Sequence, residues 1–68
     1  MTKDEFTERV KMILQVHTLS LATSLEDADS FSRVELIMTV EEFNGKQLHD
    51  FQVKSLKTFQ DLLYLIET

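Results

Sequence analysis

Ser30 has a side-chain hydroxyl, lies next to acidic residues and begins a predicted helix. Asp29 precedes it, and the segment Phe31-Ser32-Arg33-Val34-Glu35-Leu36 follows it. No glycine-rich loop follows Ser30 to form an oxyanion hole with His49 as a base, and a 68-residue domain is too small for a substrate cleft. The pattern therefore favours a serine that another enzyme modifies over a serine that acts as a nucleophile. We expect no catalytic residue in this chain.

The negative charge of the chain is concentrated around this serine. The net charge is −5, and residues 26–42 contain six acidic residues and one basic residue, Arg33, while the rest of the chain is balanced. Such a segment repels nucleic acid and anionic lipid, and it attracts basic protein surfaces. We therefore expect protein partners with basic patches, and neither a nucleic acid nor a membrane partner.

Composition limits how the fold can be stabilised and where the protein acts. The 68 residues suffice for one small domain, residues 1–68, which we expect to be monomeric. There is no cysteine for a disulfide, and two isolated histidines do not predict a metal site. The charged N-terminal segment leads into no apolar block, so a signal peptide is not predicted. These features favour a cytoplasmic protein.

Helices are the elements that must position Ser30, since the chain has no proline and one glycine. Thr2 and Glu5 form a capping box before an amphipathic helix of about 13 residues. The second helix is predicted from about Ser30 to Phe43, with Asp29 as its N-cap and Asn44-Gly45 as its end. Between them, residues 17–29 predict an extended loop pinned by leucines; a short strand is the alternative, although no second strand is evident to pair with it.

Two further helices complete the prediction. Asp50 is expected to cap a short third helix that carries Phe51 and Val53. Thr58 and Asp61 resemble a second capping box. The helix that follows it contains the apolar residues Phe59, Leu62, Leu63, Leu65 and Ile66. The predicted fold class is all-α, a small bundle of three longer helices plus one short helix.

Helical spacing divides the second helix into two faces. At 100° per residue, Leu36, Val40 and Phe43 fall together and should face the core. Val34 and Met38 lie on another stripe, along from Ser30. The carboxylates beside that stripe belong to Glu35, Glu41 and Glu42. Taken without further context, these carboxylates are typical of a solvated helix face.

These motifs resemble the acyl carrier protein family. The resemblance can be followed without a gap from Ala28 to Ile66, and a first-helix match lies at residues 8–11. The matching segments are Ala28-Asp29-Ser30, Val34-Glu35-Leu36-Ile37-Met38, Glu41-Glu42, Leu48-His49-Asp50, Leu56-Lys57-Thr58-Phe59 and Leu65-Ile66. The departures are a shorter first connection, no glycine before Ala28, Phe31 in place of leucine, Ser32 in place of an acidic residue, and Phe43 one position early.

The resemblance implies a non-catalytic carrier. A phosphopantetheinyl transferase would attach 4′-phosphopantetheine from coenzyme A to Ser30, with Asp29 and Phe31 completing the attachment motif. The arm's thiol would carry acyl intermediates as thioesters in a fatty-acid, polyketide or specialised pathway. Acyl-loading and acyl-processing enzymes with basic patches would dock on Val34, Glu35, Met38, Glu41 and Glu42. The acyl chain would fold back into a space lined by Phe31, Ile37, Leu56 and Phe59.

Two other functions fit the same residues. In an aminoacyl or peptidyl carrier of a nonribosomal pathway, Ser30 would bear the same arm but receive a different cargo. In an unmodified acidic helical adaptor, Ser30 would stay free, and the carboxylates would bind a basic partner. The chemical state of Ser30 separates the adaptor from both carriers.

Overall fold

A computed structural model of the chain describes residues 1–67. The helices in this range are α1 (Lys3–Leu14), α2 (Ser30–Asn44), α3 (Asp50–Lys54) and α4 (Phe59–Glu67). The predicted all-α fold class, with three longer helices and one short helix, is therefore confirmed. Extended pairing within residues 1–67 is limited to a single antiparallel bridge between Ser24 and Thr58.

Helix α1 begins at the predicted capping box. The N–H of Glu5 donates to Thr2 Oγ1 at 3.1 Å, and the N–H of Thr2 donates to Glu5 Oε1 at 3.4 Å. The helix ends at Gln15, which adopts a left-handed conformation with φ of 58°. Phe6 and Val10 are fully buried, so one stripe of α1 packs into the core as the periodicity predicts.

Helix α2 forms within one residue of its predicted bounds. The Asp29 carboxylate accepts a hydrogen bond from the N–H of Ser32 at 2.7 Å, which confirms Asp29 as the N-cap. Gly45 ends the helix with φ of 73°, a conformation that favours glycine. Its N–H donates to the carbonyl of Glu41 at 2.8 Å. Local sequence signals therefore determine both ends of the helix that carries Ser30.

The core is formed where α1, α2 and α4 pack together. Leu36 and Val40 of α2 are buried, and Phe43 packs edge-to-face against Phe6 with ring centroids 5.7 Å apart. Thr39 is also buried, and its hydroxyl donates to the carbonyl of Glu35 at 2.7 Å. The buried apolar residues are Phe6, Val10, Leu25, Leu36, Val40, Leu56, Phe59, Leu62, Leu65 and Ile66.

The connection between α1 and α2 is a loop, as predicted, and it is held partly by its leucines. Leu25 is buried and Leu19 is half-buried against the core, but the side chain of Leu21 is exposed. The expectation that Leu21 also pins the loop is therefore wrong. Leu21 contributes through its backbone instead, because its carbonyl accepts the N–H of Gln60 at 3.1 Å.

This loop also satisfies the first N–H groups of α4. The N–H of Phe59 donates to the carbonyl of Thr23 at 2.9 Å. In the opposite direction, the N–H of Leu25 in the loop donates to the carbonyl of Lys57 at 2.8 Å. Helix starts leave such N–H groups without intrahelical partners, so the loop and α4 stabilise each other. The single bridge at Ser24 is the midpoint of this pairing.

The starts of α3 and α4 differ in detail from the prediction. Asp50 is the first residue of α3 and His49 is the N-cap, with the N–H of His49 donating to Gln52 Oε1 at 2.9 Å. At α4, Asp61 Oδ2 accepts the N–H groups of Lys57 at 2.8 Å and Thr58 at 3.0 Å. Only this half of the predicted capping box forms, since the N–H of Asp61 pairs with the backbone carbonyl of Thr58.

We predict that Asp61→Ala lowers the free energy of unfolding by about 1 kcal/mol at neutral pH, because two backbone N–H groups lose a charged acceptor. These bonds, that of Lys57 first, hold the pKa of Asp61 below its ordinary value. Their contribution is therefore present at neutral pH and is lost as the pH falls below about 4. Urea unfolding followed by circular dichroism at pH 7 and pH 3 measures both effects.

Asp27→Ala is the matched control, because Asp27 is an exposed aspartate in a loop. It should leave the unfolding free energy close to that of the wild type. Equal losses in the two variants at pH 7 would contradict the assigned role of Asp61.

Candidate functional site

Ser30 is the first residue of α2, and its side chain is exposed. Within residues 1–67 its hydroxyl makes no hydrogen bond. Asp29 occupies the N-cap position and takes the N–H of Ser32, which leaves the N–H groups of Ser30 and Phe31 at the open end of the helix. The hydroxyl is thus accessible and lies at the positive end of the helix dipole.

Asp29 acts as a helix cap in this arrangement. The pKa of its carboxyl lies below its ordinary value, first because of the hydrogen bond from the Ser32 backbone and second because of the Ser32 side chain. A carboxylate with a lowered pKa is a weak proton acceptor near neutral pH. The geometry therefore makes Asp29 the cap of the helix that begins at Ser30.

An exposed apolar patch runs along α2 from the residue after Ser30. It consists of Phe31, Val34 and Met38, whose side chains are 73%, 52% and 61% exposed. We call these three residues the α2 apolar patch. The expectation that Phe31 lines an interior space is wrong, because position 31 lies on the side of the helix away from the buried Leu36.

The three carboxylates predicted beside this patch have different environments. Glu35 is half-buried at the edge of the patch. Glu41 accepts the N–H of Leu48 at 2.9 Å and so holds the connection that follows α2. Glu42 forms an ion pair with Arg9 of α1, with Glu42 Oε2 2.7 Å from Arg9 Nη1. Glu35 and Glu42 therefore border the groove between α1 and α2, whereas Glu41 has a structural contact.

A surface groove of about 580 Å³ separates α1 from α2 and reaches the helix start at Ser30. Asp29, Phe31 and Ser32 form the end nearest Ser30. The remaining lining residues are Arg9, Met12, Ile13, Gln15, Glu35, Met38, Thr39 and Glu42. The groove thus joins the α2 apolar patch to residues of α1 that sequence reasoning did not assign to the site.

The helical periodicity of α1 predicts part of this arrangement. Arg9 and Met12 lie off the apolar stripe of α1, which predicts their exposure but not the neighbour they face. Their position beside α2 depends on how the two helices pack. A sequence pattern within one helix does not encode this packing.

No group of three or more histidine, cysteine, aspartate or glutamate side chains within residues 1–67 is arranged to hold a metal ion. None of the helices in the described part of the chain has the length and apolar character needed to cross a membrane.

Comparison with known proteins identifies the family. An acyl carrier protein of Thermosynechococcus vestitus is 38% identical over 76 residues, covering 97% of this chain and 93% of the relative. The chain belongs to the acyl carrier protein family. No family model matches the chain. No solved structure matches it either.

The alignment with that acyl carrier protein is longer than the chain itself, which has 68 residues. The relative therefore contains aligned residues that have no counterpart here.

The interior of this family member contains a small apolar cleft between α2 and the segment before α4. It measures about 10 Å³ and is lined by Leu25, Arg33, Leu36, Ile37 and Leu56. Ile37 and Leu56 were predicted to line such a space, whereas Phe59 is buried in the core and does not line it. A volume near 10 Å³ is about the least that one water molecule needs. An acyl chain could enter only if these side chains moved apart.

The different environments of two adjacent carboxylates give a test of the site geometry. We predict that Glu41→Ala lowers the free energy of unfolding by about 1 kcal/mol, because the N–H of Leu48 loses a charged acceptor. Glu42→Ala should cost less, because exposed ion pairs contribute about 0–1 kcal/mol and weaken in salt. Thermal and urea unfolding of both variants at low and high salt provides the measurement.

The two substitutions remove the same side chain from neighbouring positions, so each serves as a control for the other. A larger loss for Glu42→Ala, or equal losses that both disappear in high salt, would contradict the structural role of Glu41.

Proposed function

We propose that this protein carries acyl groups as thioesters on a 4′-phosphopantetheine arm attached to Ser30, and that it catalyses no reaction itself. The observation that carries this proposal is the exposed Ser30 hydroxyl, free of hydrogen bonds within residues 1–67, at the first position of α2. Membership of the acyl carrier protein family supports the carrier role.

The residues around Ser30 fit a covalent phosphodiester. The N–H groups of Ser30 and Phe31 lie at the open end of α2, where backbone donors and the helix dipole favour negative charge. Asp29 directs its own carboxylate to the N–H of Ser32, so it caps the helix without occupying those donors. When bound, the arm supplies a terminal thiol, which this cysteine-free chain lacks.

A phosphopantetheinyl transferase would supply the arm from coenzyme A. In that step the Ser30 oxygen forms a bond to phosphorus, and the nucleotide portion of coenzyme A leaves. The proton of the hydroxyl passes to the transferase, because the Asp29 carboxylate is engaged as the cap of α2. The contribution of this chain is therefore to present an accessible hydroxyl in a fixed position.

The α2 apolar patch and its neighbouring carboxylates provide the docking surface in this proposal. Val34 and Met38 offer exposed apolar contact, while Glu35 and Glu42 attract the basic residues of transferases and of acyl-loading or acyl-processing enzymes. Tethering the acyl group raises its effective concentration at each partner. Weak and rapid contacts suit this role, since the carrier must leave each enzyme after its step.

We predict that incubation with coenzyme A and a broad-specificity phosphopantetheinyl transferase adds one phosphopantetheine to the wild type and none to Ser30→Ala. The physical reason is that only Ser30 places a free hydroxyl at the start of α2. Intact mass spectrometry with peptide mapping measures the gain, and circular dichroism checks that each variant is folded.

Ser32→Ala is the matched control, because it removes a hydroxyl two residues away and keeps the N–H that Asp29 accepts. It should gain the arm as the wild type does. Modification that persists in Ser30→Ala would show that the site is elsewhere. A folded wild type that gains nothing would favour an unmodified acidic adaptor, while loading assays with fatty-acyl, malonyl and aminoacyl donors define the cargo.

We also predict that Glu35→Lys raises the transferase KM about tenfold at low salt, because it reverses a charge beside the α2 apolar patch. Raising the ionic strength should reduce the difference from the wild type. Initial rates at two salt concentrations measure both effects.

Glu67→Lys changes the net charge by the same amount at the end of α4, outside the groove. Its KM should stay near that of the wild type. An equal rise in both variants would mean that the transferase responds to total charge and not to the surface beside Ser30.

A further inference from the structure

We propose that the enzyme that modifies Ser30 docks on α1 as well as α2, placing an apolar side chain in the groove beside Met12. This inference rests on the proposed function, because it concerns the enzyme that acts on the same serine. It adds a second helix to the docking surface and assigns a docking role to α1, to which the family resemblance gave none.

The apolar character of the groove is the first observation. Met12 on α1 is 77% exposed, and it faces the groove together with Phe31 and Met38 of the α2 apolar patch. Large apolar side chains gathered on the surface of a small protein mark an interaction site more often than isolated ones do. Methionine is flexible and polarisable, so two methionines can adapt to a partner's side chain.

The position of the groove is the second observation. Asp29, Phe31 and Ser32, which flank Ser30 in the chain, form one end of the groove. An enzyme whose active site covers the Ser30 hydroxyl must therefore stand over this end. A docking surface that continues along the groove brings the enzyme onto Met12 and Arg9 of α1.

The charge distribution favours docking on the side of α2 that faces α1. The groove contains three carboxylates, from Asp29, Glu35 and Glu42, and one cation, Arg9. Away from the groove, Glu41 is held by the N–H of Leu48 at 2.9 Å, and Arg33 adds a positive charge while donating to the carbonyl of Leu25 at 3.2 Å. A basic enzyme surface is therefore attracted more strongly to the side facing α1 than to the side that carries Arg33.

The same charges argue against two other occupants of the groove. A second copy of this chain would bring two negative surfaces together, which is unfavourable. An acyl chain offers no positive group for the three carboxylates. A basic protein surface with an apolar side chain matches both the charge and the exposed methionines.

The test is the kinetics of phosphopantetheine transfer to full-length Met12→Gln, with coenzyme A and a broad-specificity phosphopantetheinyl transferase. We expect about a tenfold rise in KM with kcat unchanged, since Met12 contributes to docking and does not touch the hydroxyl that reacts. Met38→Gln should shift KM in the same direction. Circular dichroism should show the same helix content as in the wild type.

Tyr64→Gln is the matched control, because Tyr64 is 68% exposed on α4 and lies outside the groove. Its KM should equal that of the wild type. If Met12→Gln has the same KM as Tyr64→Gln while the wild type is modified at Ser30, the inference is overturned and the proposed function stands. If the folded wild type gains no arm, the proposed function fails, and the inference falls with it.

Two further outcomes would also overturn the inference. Concentration-dependent dimers of the wild type that Met12→Gln abolishes, seen by analytical ultracentrifugation, would assign the groove to a second copy. An unchanged transferase KM, with acyl-dependent thermal stabilisation lost in Met12→Gln, would assign it to the cargo.

Discussion

The pairing between the first loop and the start of α4 is the interaction on which the position of Ser30 depends. The chain has no disulfide, so a loop of this length must be fixed by packing and hydrogen bonds. Leu25 is buried, its N–H donates to the carbonyl of Lys57, and its own carbonyl accepts a hydrogen bond from Arg33 of α2. These contacts connect the loop to α4 and to α2 at one residue.

These contacts of Leu25 fix the chain a few residues before Asp29, the N-cap of α2. The carbonyls of Leu21 and Thr23 take the first N–H groups of α4, which would otherwise lack intrahelical partners. Asp29 then caps α2 and presents Ser30 at the surface. The candidate site is thus positioned by backbone pairing that begins nine residues before the serine and ends on a different helix.

Helix α2 is apolar on two sides, and only one of them serves the core. Leu36 and Val40 are buried, while Phe31, Val34 and Met38 are exposed on the other side. Burial cannot explain the second set, because each exposed side chain leaves apolar surface in water. An exposed apolar set of this kind is typical of a contact surface, and the proposed function therefore places docking on this side.

Sequence signals that act within one turn of helix predicted the structure best. The Thr2–Glu5 capping box, the Asp29 cap and the Gly45 end were all predictable, since each depends on residues close together in the chain. Leu36 and Val40 were also predictable, because helical periodicity separates them from Val34.

Contacts between distant segments were not predictable in the same way. The interior position expected for Phe31 came from the family resemblance, and the helix geometry places it outside. Leu21 is exposed, and its backbone carbonyl accepts the N–H of Gln60, which lies far along the chain. The Arg9–Glu42 pair and the bond from Leu48 to Glu41 likewise depend on how helices and connections pack. A pattern within one segment carries no information about such partners.

These contacts change how the acidic charge of the chain should be interpreted. Counting residues places six carboxylates in the segment around Ser30, but Glu41 is engaged by Leu48 and Glu42 by Arg9. The Arg9–Glu42 pair is exposed and therefore contributes about 0–1 kcal/mol, so a basic residue of a partner can replace Arg9 at little cost. Glu41 is different, because releasing it would leave the N–H of Leu48 without its acceptor. In the proposed docking, the carboxylates that a basic partner can engage without disturbing the fold are therefore those of Glu35 and Glu42, on the side of α2 that faces α1.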